Sequence, residues 1–426
     1  MRTLYSLLLA LMLPLILARL YWRSLRQRGY RENIGERFGL QSTPALKNCI
    51  WIHAVSVGET RAAEPLIRRL IALYPQHSIL LTSMTPTGRA TAAELFGDTV
   101  TCTYLPYDLV ILHQRLIAHF QPALLLIMET EIWPNLLHAC KQNQIPAQLI
   151  NARMSEKSAS GYLRFALTRA LARQALQTLH VVAVQSEADA DRFRMLGAQH
   201  IVVVGNIKFD VNLDSAIVQM GTQWRAEAGG RKVLLCASTR EGEEPLLLAA
   251  YTQVFNATER VETLLVVVPR HPQRFDQVAN AIERTGLRVS KRSQMVLSTV
   301  DAWPDVLLGD SMGEMAAYYA FCDVAIIGGS FLPLGGQNLI EACAIGRPVI
   351  MGPSTFNFTE VARKAVDVGA MTQVQSAIEA MQVAHRLLRD IDAQSTMSGA
   401  GLKLVAANRG ATERTLALIN SALGDI

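Results

Sequence analysis

Short, continuous apolar runs recur along the chain from residue 49 onward, and each is followed by a turn and then an amphipathic stretch. Such runs are typical of strands buried on both faces of a parallel sheet, because a strand with one wet face alternates apolar and polar positions. The first half of the chain therefore predicts an α/β unit with helices covering its sheet. Its apolar runs span residues 49–53, 79–82, 101–105, 123–128, 147–150, 181–184 and 201–204.

The second half repeats this arrangement, with apolar runs at residues 233–237, 264–268, 306–308, 324–327 and 349–351. Residues 205–230 separate the halves and contain Gly205-Asn206, a polar stretch and Gly229-Gly230, a composition typical of a joint between domains. At 426 residues the chain is long enough for two domains. We predict α/β domains at 32–210 and 211–426, preceded by a separate segment at 1–31.

The first 31 residues differ in character from the rest. Between Arg2 and Arg19 lie sixteen uncharged, mostly apolar residues that include Pro14, and Tyr21-Trp22 follow. A cleaved signal peptide is disfavoured because bulky aromatic residues stand where small residues precede cleavage, and a buried core helix is disfavoured by the flanking arginines. We predict a membrane anchor with the aromatic pair at the interface, and its length allows it either to span the bilayer or to lie in its plane.

Charge is concentrated in this same segment. The chain has 41 Lys and Arg against 36 Asp and Glu, a formal net charge of +5, yet residues 1–31 carry six arginines and no acid, so the remaining residues sum to −1. A basic nucleic-acid groove across the body of the protein is therefore disfavoured, and we predict no nucleic-acid partner. The arginines predict an anionic membrane surface as the partner of the N-terminal segment.

Cysteine and histidine usage argues against metal and disulfide sites. The six cysteines are scattered through apolar stretches without a C-x-x-C pair, and the nine histidines form no spaced ligand set. This usage predicts small core residues in a reducing compartment rather than disulfides or zinc ligands.

Polar residues directly follow many of the predicted strands, at the edge where parallel α/β sheets bind ligands. Glu59 follows Gly58 at the first strand-to-helix turn, where it is either a general base or a first-turn residue favoured by the helix dipole. Glu129 and Glu131 emerge from an apolar strand just before Trp133. We expect at least one of them to be functional, the alternative being that both are solvated charges.

Other strands lead into cations and glycine-rich turns. Lys208, Arg240 and Arg270 are placed to bind a phosphate or carboxylate. Glycine-rich turns at 328–330 and 335–336 precede a short helix whose Glu341 can accept hydrogen bonds from ribose hydroxyls. Neither G-x-G-x-x-G nor G-x-x-x-x-G-K-[ST] occurs, which disfavours NAD enzymes and P-loop ATPases. We predict a nucleotide site in the second domain that faces an acceptor site in the first.

Nine segments in these loops carry a resemblance to a known family. They read W-I-H-A-V-S-V-G-E-T (51–60), T-S-M-T-P-T-G (82–88), M-E-T-E-I-W-P-N (128–135), N-A-R-M-S (151–155), G-N-I-K-F-D (205–210), S-T-R-E-G-E-E (238–244), P-R-H-P-Q-R-F (269–275), G-D-S-M-G-E (309–314) and G-G-Q-N-L-I-E (335–341). They closely resemble the 3-deoxy-D-manno-octulosonic acid (Kdo) transferases of lipopolysaccharide synthesis. The resemblance implies a GT-B glycosyltransferase fold, with two Rossmann-like domains facing a cleft and an N-terminal membrane-anchoring helix.

The resemblance also implies an activity and its residues. It implies inverting transfer of Kdo from CMP-Kdo to lipid IVA, the tetraacylated lipid A precursor, at the cytoplasmic face of the bacterial inner membrane, without a cofactor or metal. By this resemblance Glu59 is the proton acceptor, and Glu129 and Lys208 stabilise the transition state. We further expect Ser56, Gly58, Thr85 and Arg240 to contact substrate. The implied CMP contacts are Pro269, Arg270, Met312, Gly313, Glu314, Asn338, Leu339, Ile340 and Glu341.

The chain departs from the family pattern in the donor loops. The family usually shows G-G-H-N-P-L-E, but here Gln337 replaces the His and Leu339-Ile340 replace Pro-Leu. Ser354 follows Gly352-Pro353 at a position where a His is common. These departures affect the expected donor contacts of positions 337, 339 and 354, whereas Asn338 and Glu341 are retained.

Two other interpretations stay open from the sequence. One is a GT-B enzyme that uses a UDP-sugar, similar to lipid A disaccharide synthase or to UDP-N-acetylglucosamine 2-epimerase. The other is a non-catalytic membrane scaffold with a degenerate sugar-nucleotide fold. Stabilisation by CMP or by UDP distinguishes the first alternative, and substitution of Glu59 distinguishes the second.

Overall fold

A computed structural model of the protein describes residues 1–294 and 303–424. These residues form two compact units, one comprising Met1–Asp210 together with residues 409–424, and the other comprising Val211–Asn408. The predicted second domain, 211–426, also includes residues 295–302 and 425–426, which lie outside the described part of the chain.

The first unit is built on a seven-stranded parallel sheet with the order β3-β2-β1-β4-β5-β6-β7. Strands β1 and β4 are neighbours, with Ile50 beside Leu124, and successive strands are added outward from this pair in both directions. In doubly wound sheets such a switch point opens a ligand crevice at the carboxyl ends of the strands. The strands are β1 (Cys49–His53), β2 (Ile79–Ser83), β3 (Val100–Tyr104), β4 (Pro122–Met128), β5 (Ala147–Ala152), β6 (Val181–Val184) and β7 (Ile201–Val203).

The second unit also contains a seven-stranded parallel sheet, with the order β10-β11-β9-β8-β12-β13-β14 and its switch point between β8 and β12. The edge strands β10 and β14 are absent from the predicted set because each has three residues and carries polar side chains. The predicted α/β fold is confirmed. The strands are β8 (Lys232–Thr239), β9 (Thr263–Pro269), β10 (Val289–Lys291), β11 (Val306–Leu308), β12 (Val324–Ile327), β13 (Val349–Met351) and β14 (Met371–Gln373).

Helices connect the strands within each unit, and further helices come after the last strand. In the first unit they are α1 (Arg2–Arg26), α2 (Val57–Leu73), α3 (Pro86–Phe96), α4 (Val110–Phe120), α5 (Pro134–Gln142), α6 (Glu156–Arg164), α7 (Ala166–Leu176), α8 (Glu187–Leu196) and, numbered last in chain order, α18 (Ala411–Gly424). In the second unit they are α9 (Ser215–Glu227), α10 (Glu243–Val254), α11 (Ala257–Glu262), α12 (Phe275–Glu283), α13 (Met315–Phe321), α14 (Ile340–Ala344), α15 (Thr359–Asp367), α16 (Ala377–Leu387) and α17 (Ile391–Asn408).

The first sheet is covered on both faces. Successive residues of β1 fall into two separate apolar clusters, with Cys49 and Trp51 in one and Ile50 and Ile52 in the other. Because side chains alternate between the faces of a strand, a strand buried in this way has no polar face. This double coverage is the physical reason for the continuous apolar runs in the sequence.

The last helix, α18, belongs to the first unit, and in this respect the structure differs from the predicted range 211–426. The Asp210 carboxylate accepts the backbone N–H groups of Gly410 and Thr412, both at 2.6 Å. Leu416 and Ile419 of α18 are buried in the cluster that contains alternate residues of β1. An amphipathic pattern shows that a helix covers a core, but it does not specify which sheet that core belongs to.

The N-terminal helix α1 contains the candidate membrane segment. Within the described residues, Arg2–Leu25 is the single helical stretch long and apolar enough to cross a membrane, with a mean hydropathy of 2.0. Pro14 lies inside the helix, which continues to Arg26. The apolar N-terminal helix expected from the sequence is therefore present as a candidate anchor.

Candidate active site

Glu59 and Glu129 lie at the switch point of the first sheet. Strand β1 ends at His53 and α2 begins at Val57, which places Glu59 in the first turn of α2. Glu129 is the first residue after the neighbouring strand β4. The two carboxylates are close enough for the charge of Glu129 to raise the pKa of Glu59. The fold thus brings together two acids that lie far apart in the chain.

The Glu59 carboxylate is held by its own turn. Its Oε2 accepts the N–H of Val55 at 2.8 Å, and its Oε1 accepts the hydroxyl of Ser56 at 3.0 Å. Burial raises the pKa of Glu59 to about 7, with the charges of Glu129 and Glu131 adding to the rise and the Val55 N–H opposing it. A carboxylate that titrates near neutral pH is suited to accept a proton there.

Glu129 has an unusual backbone conformation. Its φ is 56°, in the left-handed region, and the residue is 5% exposed. Its N–H still donates to the carbonyl oxygen of Ile150 at 3.0 Å, which extends the pairing of β4 with β5 by one residue. A non-glycine residue in this region costs of order 1 kcal/mol or more, and such strain is concentrated at functional sites.

Two cations contact the Glu129 carboxylate. The Nζ of Lys208 lies 3.3 Å from Oε1, and the Nε of Arg153 donates to Oε2 at 2.8 Å. The side chains of Glu129 and Lys208 are 7% and 19% exposed, so water screens their interaction little. The structure therefore brings together the two residues expected to stabilise the transition state. Arg153 was not among the predicted site residues, although it closely follows β5 and so shares the strand-end signal.

Two asparagines set the position of Lys208. The Oδ1 of Asn206 accepts the N–H of Lys208 at 3.0 Å, and the Oδ1 of Asn151 accepts the N–H of Ile207 at 3.2 Å. Asn151 is fully buried with a φ of 49°, and Gln185 donates its amide to the Asn151 carbonyl at 2.9 Å. Sequence reasoning gave neither asparagine a role, although both lie at or just after strand ends.

The other acid of this loop, Glu131, is partly buried. Burial raises its pKa, and the charge of Glu129 raises it further. At least one acid of the pair was expected to be functional, and the structure places both near Glu59, since each raises its pKa.

The three remaining residues expected to bind substrate in the first unit have structural contacts of their own. Ser56 donates to Glu59, as described above. Thr85 begins α3: its hydroxyl accepts the N–H of Gly88 at 3.0 Å and donates to the carbonyl of Val55 at 3.3 Å. Gly58 is exposed near the start of α2. These contacts shape the loop around Glu59, and substrate binding by the three residues stays a prediction.

In the second unit, a buried carboxylate organises the switch point between β8 and β12. Glu243 is fully buried and accepts three backbone N–H groups, from Arg240 at 2.8 Å, Gly329 at 2.6 Å and Phe331 at 2.9 Å. It therefore ties the turn after β8 to the glycine-rich turn after β12. Glu243 was not among the predicted site residues; the available signal is its place just after Gly242, where the helix begins.

The glycine-rich turn after β12 lies so close to the end of β8 that its glycines have no room for side chains. A Cβ on Gly328 would lie 2.6 Å from the Cα of Thr239, and Gly329 has a φ of 68°. The backbone of this turn is consequently pressed against the end of β8. A bare backbone in such a position lets a ligand approach the N–H and C=O groups closely.

Cations gather near the end of β9. Arg270 directly follows Pro269, the last residue of that strand. Burial lowers the pKa of the neighbouring His271, and the charges of Arg240 and Arg270 lower it further, which places both guanidinium groups near this imidazole. The positive charge at this edge of the second sheet suits a phosphate group.

The loop after β11 contains three further expected CMP contacts. Met312 is 59% exposed, Gly313 has a φ of 80°, and Glu314 immediately precedes α13. The hydroxyl of Ser311 donates to the Glu314 carboxylate, and an Arg292 nitrogen lies 3.5 Å from that carboxylate. Glu314 is thus held at the start of the helix, and nucleotide binding by this loop stays a prediction.

Asn338 and Glu341 contact each other at the start of α14. The Nδ2 of Asn338 donates to Glu341 Oε1 at 2.9 Å, while its Oδ1 accepts the N–H of Ile340 at 3.0 Å. Burial raises the pKa of Glu341, whereas Asn338 and Arg270 lower it. Leu339 and Ile340 are almost fully buried, and contact of either residue with CMP stays a prediction. With five residues, α14 is short, as expected, and its helix dipole is weak.

Two of the departures from the family pattern, Ser354 and Gln337, form backbone contacts with the glycine-rich turns. Ser354 accepts the N–H of Gly335 through its hydroxyl at 2.9 Å, and its own N–H donates to the carbonyl of Ser330 at 2.9 Å. The N–H of Gln337 donates to the carbonyl of Gly328 at 3.0 Å. Both residues therefore help to hold the glycine-rich turns together.

No metal centre is evident in the part of the chain that the structure describes. Among residues 1–294 and 303–424, no group of three or more His, Cys, Asp or Glu side chains is arranged to hold a metal ion. The six cysteines are free thiols, and five of them are buried.

Two seven-stranded parallel sheets connected by helices define an α/β protein with a fold of the GT-B type. The structure resembles that of UDP-N-acetylglucosamine 2-epimerase from Neisseria meningitidis, with a TM-score of 0.55 and 15% sequence identity over 87% of this chain and 99% of the other. At this identity the likeness concerns the fold alone.

Sequence relatives identify the family. The sequence profile described as 3-deoxy-D-manno-octulosonic-acid transferase (kdotransferase) matches residues 32–211. The 3-deoxy-D-manno-octulosonic acid transferase of Bordetella pertussis is 41% identical over 99% of this chain and 100% of its own length. The enzyme of the same name from Haemophilus influenzae is 35% identical over 98% of both chains. The chain belongs to the Kdo transferase family, as the resemblance in its loops indicated, and it is an enzyme.

Proposed function

We propose that the protein transfers Kdo from CMP-Kdo to a hydroxyl group of lipid IVA, with inversion at the anomeric carbon. The observation that carries the proposal is the Glu59 carboxylate, which titrates at about 7 and lies near the paired Glu129 and Lys208. Membership of the Kdo transferase family supports Kdo as the transferred sugar.

Glu59 acts as the general base in this proposal. The acceptor hydroxyl attacks the anomeric carbon and loses its proton to a Glu59 oxygen, while the bond from that carbon to the CMP phosphate breaks. With a pKa of about 7, roughly half of the Glu59 carboxylates are ionised at neutral pH. General-base catalysis of this kind typically contributes a factor of about 10² to 10⁴.

Glu129 and Lys208 stabilise the charges that develop during transfer. The sugar gains oxocarbenium character, and negative charge grows on the departing phosphate. A buried carboxylate and ammonium held 3.3 Å apart are preorganised groups that need no reorientation as these charges appear. Glu129 offsets the positive charge on the sugar, and Lys208 offsets the negative charge on the phosphate. In this proposal neither role requires a metal ion.

The second unit holds the nucleotide. Arg270 contacts the phosphate, the Glu341 carboxylate accepts hydrogen bonds from the ribose hydroxyls, and Asn338 orients that carboxylate through its contact at 2.9 Å. Pro269, residues 312–314 and residues 339–340 complete the CMP site in this proposal. Arg240 adds a second cation close to Arg270, since both lower the pKa of His271.

The enzyme acts at the cytoplasmic face of the bacterial inner membrane. Its acceptor is a lipid, and α1, with a mean hydropathy of 2.0, is the candidate anchor. The six arginines of residues 1–31 favour an anionic membrane surface.

The test is product analysis with the purified full-length enzyme. CMP-Kdo and lipid IVA are expected to yield a lipid that is heavier by at least one Kdo, as detected by mass spectrometry, and Glu59→Gln should abolish the product while Glu64→Gln in the same helix should not. Thermal-shift measurements should show stabilisation by CMP. Stabilisation by UDP alone would favour a UDP-sugar enzyme. Full transfer of Kdo by Glu59→Gln would show that Glu59 is not the general base.

A further inference from the structure

Helix α1 has two different faces. Eight of its residues, together with the buried Ser24, are turned partly toward the first unit, and they return to the same side of the helix at each turn: Arg2, Tyr5, Ser6, Leu9, Leu13, Ile16, Leu17 and Leu20. The opposite face is apolar and exposed, and it consists of Leu4, Leu7, Leu8, Leu11, Met12 and Leu15. At 3.6 residues per turn each set falls on one side of the helix. A water-exposed leucine face of this extent indicates a non-aqueous partner.

Polar contacts fasten the N-terminal end of α1 to the first unit. The Tyr5 hydroxyl donates to Asp108 Oδ2 at 2.9 Å, and the Asn135 amide donates to Ser6 Oγ at 2.9 Å. Arg2 lies near α5, since its charge lowers the pKa of His138. These contacts between residues 2–6 of α1 and residues 108, 135 and 138 are called the latch below.

The latch closes over a buried carboxylate. Asp108 is 1% exposed, and besides Tyr5 it accepts His113 Nε2 at 2.9 Å and the backbone N–H groups of Asn135 and Leu136 at 3.2 and 2.9 Å. It therefore caps α5, the helix that directly follows the loop containing Glu129. Departure of α1 would remove one donor from a buried carboxylate, which is unfavourable.

The other end of α1 also meets the first unit. The 3₁₀ turn at Arg28–Arg31 follows the helix, and a Cβ added to Gly29 would lie 2.9 Å from Pro86 Cβ at the start of α3. Within this corner Arg31 donates to Ser24 Oγ at 2.6 Å, and the Arg23 guanidinium lies 4.6 Å from the centre of the Tyr30 ring. Tyr30 is buried. The helix is thus held to one unit near both ends.

This attachment is incompatible with a helix that spans the bilayer. Tyr5 and Ser24 are separated by roughly 28 Å along a helix that rises 1.5 Å per residue. That distance is close to the roughly 30 Å thickness of the hydrocarbon core. In a spanning helix Tyr5 would therefore lie at the membrane face opposite to the enzyme and could not reach Asp108.

We propose that α1 lies in the plane of one leaflet, held along the first unit by the latch, and inserts its exposed leucine face among the acyl chains of an anionic bilayer. Exposed Tyr21 and Trp22 and the arginine-rich end of the helix lie at headgroup depth, as interfacial helices require. This geometry rests on the proposed function only in assuming that the enzyme acts at a membrane. It holds the acceptor unit itself against the surface from which the lipid substrate comes.

Crosslinking tests the latch in the full-length enzyme. Arg2→Cys combined with His138→Cys should be joined by a short bifunctional maleimide when the enzyme is bound to vesicles of phosphatidylethanolamine and phosphatidylglycerol. The matched control pair, Leu11→Cys with His138→Cys, should not be joined, because Leu11 lies farther along α1 on the exposed face. The wild-type enzyme, with five buried cysteines, measures the background.

Depth measurements provide an independent readout that does not depend on the latch variants. Single cysteines at positions 4, 8, 11 and 15, each labelled with an environment-sensitive fluorophore, should be quenched to similar extents by lipids brominated at one shallow depth. Arg19→Gln should weaken binding to the anionic vesicles about fivefold, since one basic residue near such a surface contributes about 1 kcal/mol.

The outcomes separate this geometry from the activity. The enzyme could bind vesicles and transfer Kdo but show no crosslink between positions 2 and 138, with the deepest quenching for fluorophores at the middle of α1. That result would overturn the in-plane geometry and leave the proposed function intact. A crosslinked, uniformly shallow helix in an enzyme that transfers no Kdo would overturn the function and retain the geometry. Equal binding to phosphatidylcholine vesicles would contradict the anionic partner.

Discussion

Lys208 and Glu129 form a largely buried pair, with Nζ and Oε1 3.3 Å apart. Lys208 follows β7 after a short turn and Glu129 directly follows β4, so the pair depends on the order of strands in the sheet. Asn151 and Asn206 place the lysine, and Arg153 shares the carboxylate. The charges are therefore held in position before any substrate binds.

Removal of one charge of this pair should affect catalysis more than stability. Lys208→Met is expected to lower kcat by about 10² to 10³, the loss typical for a preorganised charge-stabilising group. Arg153 still contacts Glu129 in this variant, so the melting temperature should change little. A double-mutant cycle with Glu129→Gln, measured by initial rates, should be non-additive by about 0.5–3 kcal/mol. Additive losses would show that the two residues act separately.

The pH profile should report Glu59. Burial raises the pKa of its carboxyl to about 7, and the base must be ionised to accept a proton. We expect kcat/KM to increase with pH up to about 7 and then to level off. Glu59→Asp should retain partial activity with a shifted midpoint, and Glu64→Gln should retain the wild-type profile. An activity that is already maximal at pH 5 would contradict this assignment.

The same carboxyl should lower stability at high pH. Its pKa is about 7 when folded, against a reference of 4.5, so between these values the folded state holds a proton that the unfolded state has lost. Stability therefore falls as pH rises from about 4.5 to 7, by of order 3 kcal/mol in total. The melting temperature of Glu59→Gln, taken relative to that of the wild type, should therefore be higher at pH 8 than at pH 5. An equal difference at both pH values would argue against the raised pKa.

Glu243 should be required for nucleotide binding. Its carboxylate accepts the N–H groups of Arg240, Gly329 and Phe331, and a glutamine has one acceptor oxygen in place of two. Glu243→Gln is expected to weaken CMP binding about tenfold or more by calorimetry, and to lower stability by about 1–3 kcal/mol. The neighbouring exposed acid provides the control Glu241→Gln, which should bind CMP normally. Unchanged affinity in Glu243→Gln would show that the turn keeps its shape without this carboxylate.

Truncation of a buried side chain in α18 should destabilise the first unit. Ile419 is fully buried in the core of that unit, and an Ile→Ala change in a core typically costs about 2–5 kcal/mol. The exposed Ile391 of α17 supplies the control Ile391→Ala, which should cost little. Calorimetric scans with and without CMP identify the unit affected. If the variant lowered the melting temperature of the unit that CMP stabilises and left that of the other unit unchanged, the assignment of α18 would be contradicted.

The sequence alone determined the fold class and indicated several residues of the candidate site. Twelve strands appeared as continuous apolar runs, most of them because the strand is buried on both faces, although the edge strand β7 is apolar and largely exposed. The polar residues after these runs included Glu59, Glu129 and Lys208. Burial of strands and the position of loops at strand ends are local properties, so they leave a local pattern. The edge strands β10 and β14 lack that pattern because they are short and partly polar.

Only the tertiary structure decided which residues meet. It paired Glu129 with Arg153 and Lys208, placed Glu243 under the glycine-rich turn, and returned α18 to the first sheet. It also attached Tyr5 to Asp108, which favours an in-plane helix over a spanning one, although the apolar segment at residues 3–18 is equally consistent with both. Each of these relationships joins groups far apart in the chain. Their contact energies depend on strand order and helix placement, which periodicity and composition do not encode.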